Sequence, residues 1–183
     1  MCIDLVKYNI DIIKMNILTI LICLIILAYI TIYTKPKNNI EIIQTNSHAN
    51  FDLSLLNEKQ PIVIYDDIKN SKEFINQIMS YQYNFKINKV LHKNTLYQNN
   101  SKFAIIYNDK QIDLNISISK VTKKYNHLNL FYSNIDMYSN EVDFNIIVKP
   151  GNILIIPYLY LLKSNDQNTN VDFFNDILHI ISY

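Results

Sequence analysis

The sequence predicts a mainly β protein: an N-terminal single transmembrane α-helix followed by a small antiparallel β-sandwich or barrel with one or two helices. Three observations predict this class. Residues 15–34 form one uncharged apolar run. A series of short apolar or alternating runs follows, each bounded by polar turn residues. Only the stretch 70–82 carries clear helix start signals. The chain then divides into an N-terminal tail (1–14), the transmembrane helix (15–34), a polar tether (35–50) and a β-rich domain (51–183).

The first element is MNILTILICLIILAYITIYT, framed by Lys14 and Lys35. At 1.5 Å per residue, a helix over 15–34 reaches about 30 Å, the thickness of the hydrocarbon core. Thr19, Thr31 and Thr34 can return their hydroxyls to the helix backbone, and Tyr29 and Tyr33 suit the interface. A cleaved signal peptide would have a shorter apolar region and a small-x-small site, and AYITIYTKPK offers none. A buried core helix would keep a polar face, and this run has none. Its partner is therefore the lipid bilayer, through Met15–Thr34, in a single-pass arrangement. Lys7 and Lys14 before the span balance Lys35 and Lys37 after it, so the charges select no orientation. Met15 is an alternative start.

The domain elements follow in order. KPKNNIEIIQTNSHAN reads as tether, with a short strand at Ile40 to Ile43. PIVIY (61–65) and KFAIIY (102–107) read as apolar strands. In NSKEFINQIMSYQ, Asn70 is the expected helix cap and Glu73 completes a capping box, with Phe74, Ile75 and Ile78 on one face. Asn108-Asp109-Lys110 is expected to form a tight hairpin, because Asn and Asp tolerate positive φ. QIDLNISIS (111–119) alternates through Ile112, Leu114, Ile116 and Ile118, and VDFNIIV (142–148) through Val142, Phe144, Ile146 and Val148. ILIIPYLYLL (153–162) reads as one strand, apolar on both faces. SNDQNTN (164–170) is a polar loop, and DILHIISY reads as a last apolar strand.

Composition excludes several functions. Ile (34), Asn (26), Lys (17) and Tyr (14) make up half of the 183 residues, while Arg and Trp are absent. An AT-rich genome accounts for this, so the Asn excess marks no site. The net charge is +1, and the only adjacent lysines are Lys123 and Lys124, so no basic patch serves phosphates and nucleic-acid binding is not expected. Cys2 and Cys23 are the only cysteines, which leaves neither a disulfide framework nor a thiolate metal site in the domain. One glycine cannot build a phosphate loop. Asn99-Asn100-Ser101 and Asn115-Ile116-Ser117 match the glycosylation pattern, no more often than this composition produces by chance. His48 sits in the tether, His127 stands among asparagines, and His179 reads as a structural residue in an apolar strand. Asp66-Asp67 lies at a strand-to-helix junction, where turn and capping roles suffice.

KPGNILIIPYLYLL resembles the closing motif of cupin-like proteins of the JmjC type, a double-stranded β-helix in which a Pro-Gly-Asp turn leads to a strand ending Ile-Pro-x-x-Trp-x-His. Lys59-Gln60-Pro61-Ile62-Val63-Ile64 is similar to the family's opening strand. VLHKNTLYQNNSKFAIIYND resembles the segment bearing its His-x-Asp ligands and the following Lys-x-Phe. The resemblance covers about residues 51–183. In active members two His and one carboxylate hold Fe(II), and 2-oxoglutarate completes the site. Carried onto this chain, the first His falls at His92, the carboxylate at Asn94 and the last His at Leu161 or Leu162, with Tyr160 near the missing Trp. Asn is a poor neutral ligand and Leu is none. The resemblance therefore implies an inactive member with no catalytic residue, no metal and no cofactor, its ligand positions His92, Asn94 and Leu162 vestigial. Membrane-anchored, degenerate members rich in Ile and Asn occur in giant DNA viruses, which implies a viral protein of a host or virion membrane. The expected function is a non-enzymatic, membrane-tethered structural or interaction module. The alternative is a residual cupin-type enzyme or small-molecule binder using the barrel interior.

Pro150 and Gly151 mark a structural turn. Pro pre-sets φ near −65° at the first turn position, and a type II turn needs positive φ next, which glycine meets freely. Backbone strain alone predicts that Gly151→Val costs about 1–3 kcal/mol.

Overall fold

The computed structural model describes residues 16–29, 31, 39–47, 49, 51–80, 83–121, 129–135 and 144–182. The chain forms two compact units, one ending at Lys35 and the other Pro36–Ile181.

In the first unit residues 16–29 form a helix, α1, with Thr31 also helical. Ile17, Leu18, Ile20, Leu21, Ile22, Leu24, Ile25 and Leu27 are all exposed, between 48% and 59%. These positions wrap the whole helix circumference, so α1 has no polar face. Thr31 Oγ1 donates to the Leu27 and Ala28 carbonyls at 3.0 and 2.9 Å, which hides its hydroxyl within the backbone. Among the described residues no helix is long and apolar enough to cross a membrane. Met15, Ile30 and residues 32–34 of the apolar run lie outside the described residues.

The second unit is mainly β. Its strands are β1 (Ile43–Thr45), β2 (Ile62–Ile64), β3 (Phe85–Leu91), β4 (Leu96–Asn99), β5 (Phe103–Tyr107), β6 (Leu114–Lys120), β7 (Tyr132–Ile135), β8 (Phe144–Val148), β9 (Ile153–Pro157), β10 (Tyr160–Ser164) and β11 (Thr169–Asn175). They build two sheets, β1-β2-β9-β5-β11-β3 and β7-β4-β10-β6-β8. The pairing is nested: β6 with β8, β5 with β9, β4 with β10 and β3 with β11, all antiparallel. A long hairpin folded at β6–β8 thus winds back and forth between the sheets. Among the described strands only β1 joins in parallel, on β2.

The alternation of apolar residues dictates the layers. Between the sheets lies one core, including Leu91, Tyr97, Ala104, Ile106, Leu114, Ile116, Ile118, Leu154, Ile156, Leu162, Val171 and Phe173. A second core covers the outer face of the first sheet, where Ile62, Ile64, Phe103, Ile105, Ile153, Ile155 and Phe174 meet Leu56, Phe74, Ile75 and Met79. The latter come from a 3-10 turn (Leu53–Glu58), an α-helix α2 (Ile68–Glu73) and a π-helical continuation (Phe74–Met79). The wide π turn brings Phe74 and Met79, five residues apart, both to zero exposure. Central strands β2, β5 and β9 are therefore apolar on both faces because both faces are covered, each fully buried Ile or Phe contributing about 1.5–3 kcal/mol.

Several expected elements differ. ILIIPYLYLL is two strands: β9 ends at Pro157, Leu159 takes φ 62°, and β10 continues in the other sheet. Asn108-Asp109-Lys110 is no hairpin, since β5 and β6 lie in different sheets. Asn108 instead stays buried, its Nδ2 donating to the Ile112 and Val148 carbonyls at 2.8 and 2.6 Å and its Oδ1 accepting from the Lys110 N–H. Ile112 lies before β6 and is 62% exposed. The cap of α2 lies three residues before Asn70: it is Asp67, whose Oδ1 accepts from the Asn70 N–H at 2.8 Å, while the Glu73 carboxylate accepts from Gln77. The terminal DILHIISY is a helix, α3 (Ile177–Ser182), because Asp176 caps its first turn by accepting from the His179 N–H at 2.7 Å. The tether contributes β1 at Ile43–Thr45, later than Ile40, and the side chain of Gln60 holds Asn39 and Glu41. Val142 lies outside the described residues.

Candidate functional site

The positions that correspond to metal ligands in the resembled family are separated by burial. His92 and Asn94 occupy the turn between β3 and β4, both exposed, with Asn94 at φ 61°. Leu162 is fully buried in the intersheet core. The turn does lie beside the far end of β10, since the Asn94 N–H donates to the Ser164 carbonyl at 2.9 Å. The side chains nonetheless face different surroundings: two face solvent and one faces the core. Between the sheets, Tyr97 stands directly opposite Leu162 in the β4–β10 register, and Tyr160 lies on the same face of β10 as Leu162. Tyr97 OH accepts from the His92 N–H at 3.3 Å, and Tyr160 OH lies 3.4 Å from Gln60 Oε1. Three large side chains thus fill this part of the interior. Among the described residues no three His, Cys, Asp or Glu side chains stand close enough to hold a metal ion.

The densest buried polar group is a band that sequence reasoning passed over. Gln98, Asn99, Asn100 and Ser101 have zero exposure, and Lys102 has 8%. Asn99 Nδ2 donates to the Ile156 and Pro157 carbonyls at 3.0 and 2.9 Å, where β9 leaves its sheet. Asn100 Nδ2 donates to Ser133 Oγ and to the Asn129 carbonyl. The Lys102 N–H donates to Asn175 Oδ1 at 2.7 Å, and Lys102 Nζ pairs with Asp176 beneath the Tyr83 ring. His179 Nε2 lies 2.9 Å from the Asn100 carbonyl, which can only accept, so that nitrogen carries the hydrogen. His179 also packs edge-on against Tyr158 at 4.9 Å, and burial pushes the Tyr158 hydroxyl's pKa above its ordinary value. The band's amides and hydroxyls pair mostly with one another and with the backbone around one ion pair, although the buried Gln98 Oε1 meets no hydrogen-bond partner. Its amides close backbone carbonyls that the strand crossing frees, as Asn99 does for Ile156 and Pro157. The only hint in the sequence was the polar run QNNSK between two apolar strands. Asn99, the acceptor of one glycosylation pattern, is sealed in this band, whereas Asn115 of the other is exposed.

Pro150 and Gly151 form the middle of a turn closed by the Asn152 N–H on the Lys149 carbonyl at 2.9 Å, with Gly151 at φ +83°. The turn lies against the start of α2. The Gly151 N–H donates to the Asn108 carbonyl at 2.8 Å, and its carbonyl accepts from Ser71 Oγ. A Cβ at Gly151 would stand 2.4 Å from the Asp66 carbonyl oxygen and 2.9 Å from the backbone of Asp67 and Ile68. Asp66 and Asp67 serve this junction, with Asp66 Oδ1 accepting from the Asp67 N–H and from Asn70 Nδ2. His48, His127 and Cys2 lie outside the described residues, and Cys23 is an exposed thiol on α1. No protein-family model matches this chain, and no curated protein matches it.

Proposed function

We propose that this protein is a single-pass, membrane-anchored structural or interaction module without catalytic activity, its domain a degenerate cupin-like roll. One observation carries the reading: α1 exposes large apolar side chains on every side, a surface that water disfavours and hydrocarbon accepts. The proposed anchor, Met15–Thr34, is six residues longer than the helix over 16–29, and a helix of that full length would reach across a bilayer core. One feature supports the cupin-like part. The nested pairing β3–β11, β4–β10, β5–β9 and β6–β8 is the order of an eight-stranded jelly roll. Tyr97, Tyr160 and Leu162 pack the intersheet interior that a small-molecule binder of this kind would use. That packing disfavours the residual enzyme or small-molecule binder. A viral origin, in a host or virion membrane, belongs to the same proposal and rests on the resemblance and the composition.

Two measurements test it. After alkaline carbonate extraction the full chain should stay with membranes, while Leu21→Lys combined with Leu24→Lys should release it; release of the parent chain would defeat the anchoring. Purified protein given Fe(II) and 2-oxoglutarate should hold no stoichiometric metal and melt unchanged. Saturation at a hundred times Kd would add about 2.7 kcal/mol, so a ligand-dependent rise of several degrees would defeat the non-catalytic reading.

A further inference from the structure

We infer that the anchored chain holds its β-rich unit on the cytosolic face of the membrane, with residues 1–14 on the other side, because Asn99 must stay free of sugar for the fold to close. The lysines that flank the apolar run, Lys7 and Lys14 before it and Lys35 and Lys37 after it, leave the orientation open. Asn99-Asn100-Ser101 decides it. A glycosylating lumen acts on the pattern itself, whether chance or selection put it there. The folded unit has no room for the product. Asn99 and Ser101 both have zero exposure. The sugar bond forms at Asn99 Nδ2 and replaces one of its two hydrogens. Both hydrogens are in use, donated to the Ile156 and Pro157 carbonyls at 3.0 and 2.9 Å. Oδ1 of the same amide accepts from the Ser101 N–H and hydroxyl at 3.0 and 2.6 Å, so all four of its hydrogen-bonding positions are filled. A glycan would strip one buried carbonyl of its donor and set a bulky hydrophilic group where no solvent reaches.

Folding does not outrun that modification. The carbonyls that seal Asn99 lie 57 and 58 residues further along the chain. The strands that flank β4, which are β7 and β10, also come later in the sequence. At about 5–20 residues per second, synthesis leaves Asn99 open for about 3–12 s before Pro157 exists. A lumenal unit would present the pattern unprotected for that time. Asn115 would add a second acceptor, exposed even in the folded unit. A cytosolic unit meets neither. The inference rests on the anchored reading, since only a chain that crosses a membrane has two sides to choose between.

The test translates the full chain, with Cys2→Ser, Cys23→Ser and Lys149→Cys, into sealed, glycosylation-competent microsomes whose cytosolic face points outward. Lys149 is exposed on the folded unit. The product should show no endoglycosidase-sensitive gel shift, and its thiol should react with an impermeant maleimide while the vesicles stay closed. A second chain adds Ile3→Lys, Ile10→Lys, Lys35→Glu and Lys37→Glu, which moves the positive charge to the tail and drives the unit into the lumen. It should gain glycans, one of which Ser101→Ala removes. In opened vesicles the form glycosylated at Asn99 should be cut by trypsin far faster than its unglycosylated counterpart. Glycans on the first chain, or a shielded thiol there, would overturn the orientation. An Asn99-glycosylated chain as trypsin-resistant as the unglycosylated one would overturn its reason. Carbonate extraction of the same microsomes reads anchoring separately: a released chain defeats the anchor, while a retained chain with a shielded, glycan-bearing unit defeats the orientation alone.

Discussion

Replacing Gly151 is predicted to cost more than its backbone angle implies. At φ +83° an L-residue carries strain of about 1–3 kcal/mol. The added Cβ also meets backbone, not flexible side chain: the Asp66 carbonyl at 2.4 Å and the Asp67–Ile68 peptide at 2.9 Å. Relief requires moving the first turn of α2, whose Asp67 cap and Ser71 contact depend on that position. Forced overpacking adds about 1–3 kcal/mol. Gly151→Ala should then lose about 2–6 kcal/mol, which for a unit of this size lowers the melting temperature by roughly 5–20 °C. The discriminating variant is Gly151→Asn. Asn already serves turns at positive φ in this chain, at Asn94 (φ 61°) and Asn168 (φ 56°). If the angle alone mattered, Asn would be nearly harmless. Because the clash dominates, Asn should melt close to Ala. The assay is thermal denaturation followed by circular dichroism. A Gly151→Asn protein melting within about 2 °C of the parent would refute the reasoning.

Three further outcomes follow from the same contacts. Asp67→Ala removes the α2 cap and should lower stability by about 1 kcal/mol in urea titration, with Asp67→Ser largely restoring it. Asp176→Ala takes the carboxylate from the buried Lys102 ammonium and the cap from α3, so it should cost about 3 kcal/mol, and Asp176→Asn should recover only the capping share. The hydroxyl pKa values of Tyr158 and Tyr107 are raised, chiefly by desolvation, with Asp109 and then Asp67 adding to the rise at Tyr107. A raised tyrosine favours folding while neutral, so that stability is intact below about pH 10 and is lost as pH climbs through the folded-state value. Urea midpoints should hold up to about pH 10 and fall as pH rises beyond it, with a shallower fall in Tyr158→Phe; a flat profile would contradict this.

The β content was legible because alternation is a local property. Leu114, Ile116 and Ile118 face the core in β6 as their spacing requires, and Ile146 and Val148 do so in β8. Which sheet each strand joins was not legible. Nothing local in ILIIPYLYLL announces that Pro157 ends one sheet and Tyr160 begins the other, since the marker is a leucine at positive φ. The Asn108 turn misled for a related reason: its amide binds the backbone of Val148, forty residues away, and so spans two sheets instead of closing a hairpin. At both helix starts the cap is an aspartate: at α2 it is Asp67, for which the strand-to-helix junction allows a capping role, in place of the expected Asn70, and at α3 Asp176 turned an apparent strand into a helix. The polar band resisted reading because Gln98 to Ser101 look like a loop, yet the fold buries them completely. His92, Asn94 and Leu162 could be named from the motif, but their opposite burial depends on the turn and on the pairing of β4 with β10.

The most direct test of membrane anchoring uses the single thiol near the middle of the apolar run, Cys23. The full chain carrying Cys2→Ser is placed in lipid nanodiscs, where both bilayer faces are open, and treated with a charged, impermeant maleimide. Cys23 should remain unlabelled until the lipid is removed by denaturing detergent, while a second variant carrying Cys2→Ser, Cys23→Ser and Lys149→Cys reacts at once. Equal labelling of the two positions in intact nanodiscs would place Cys23 in water and contradict the anchored-module reading.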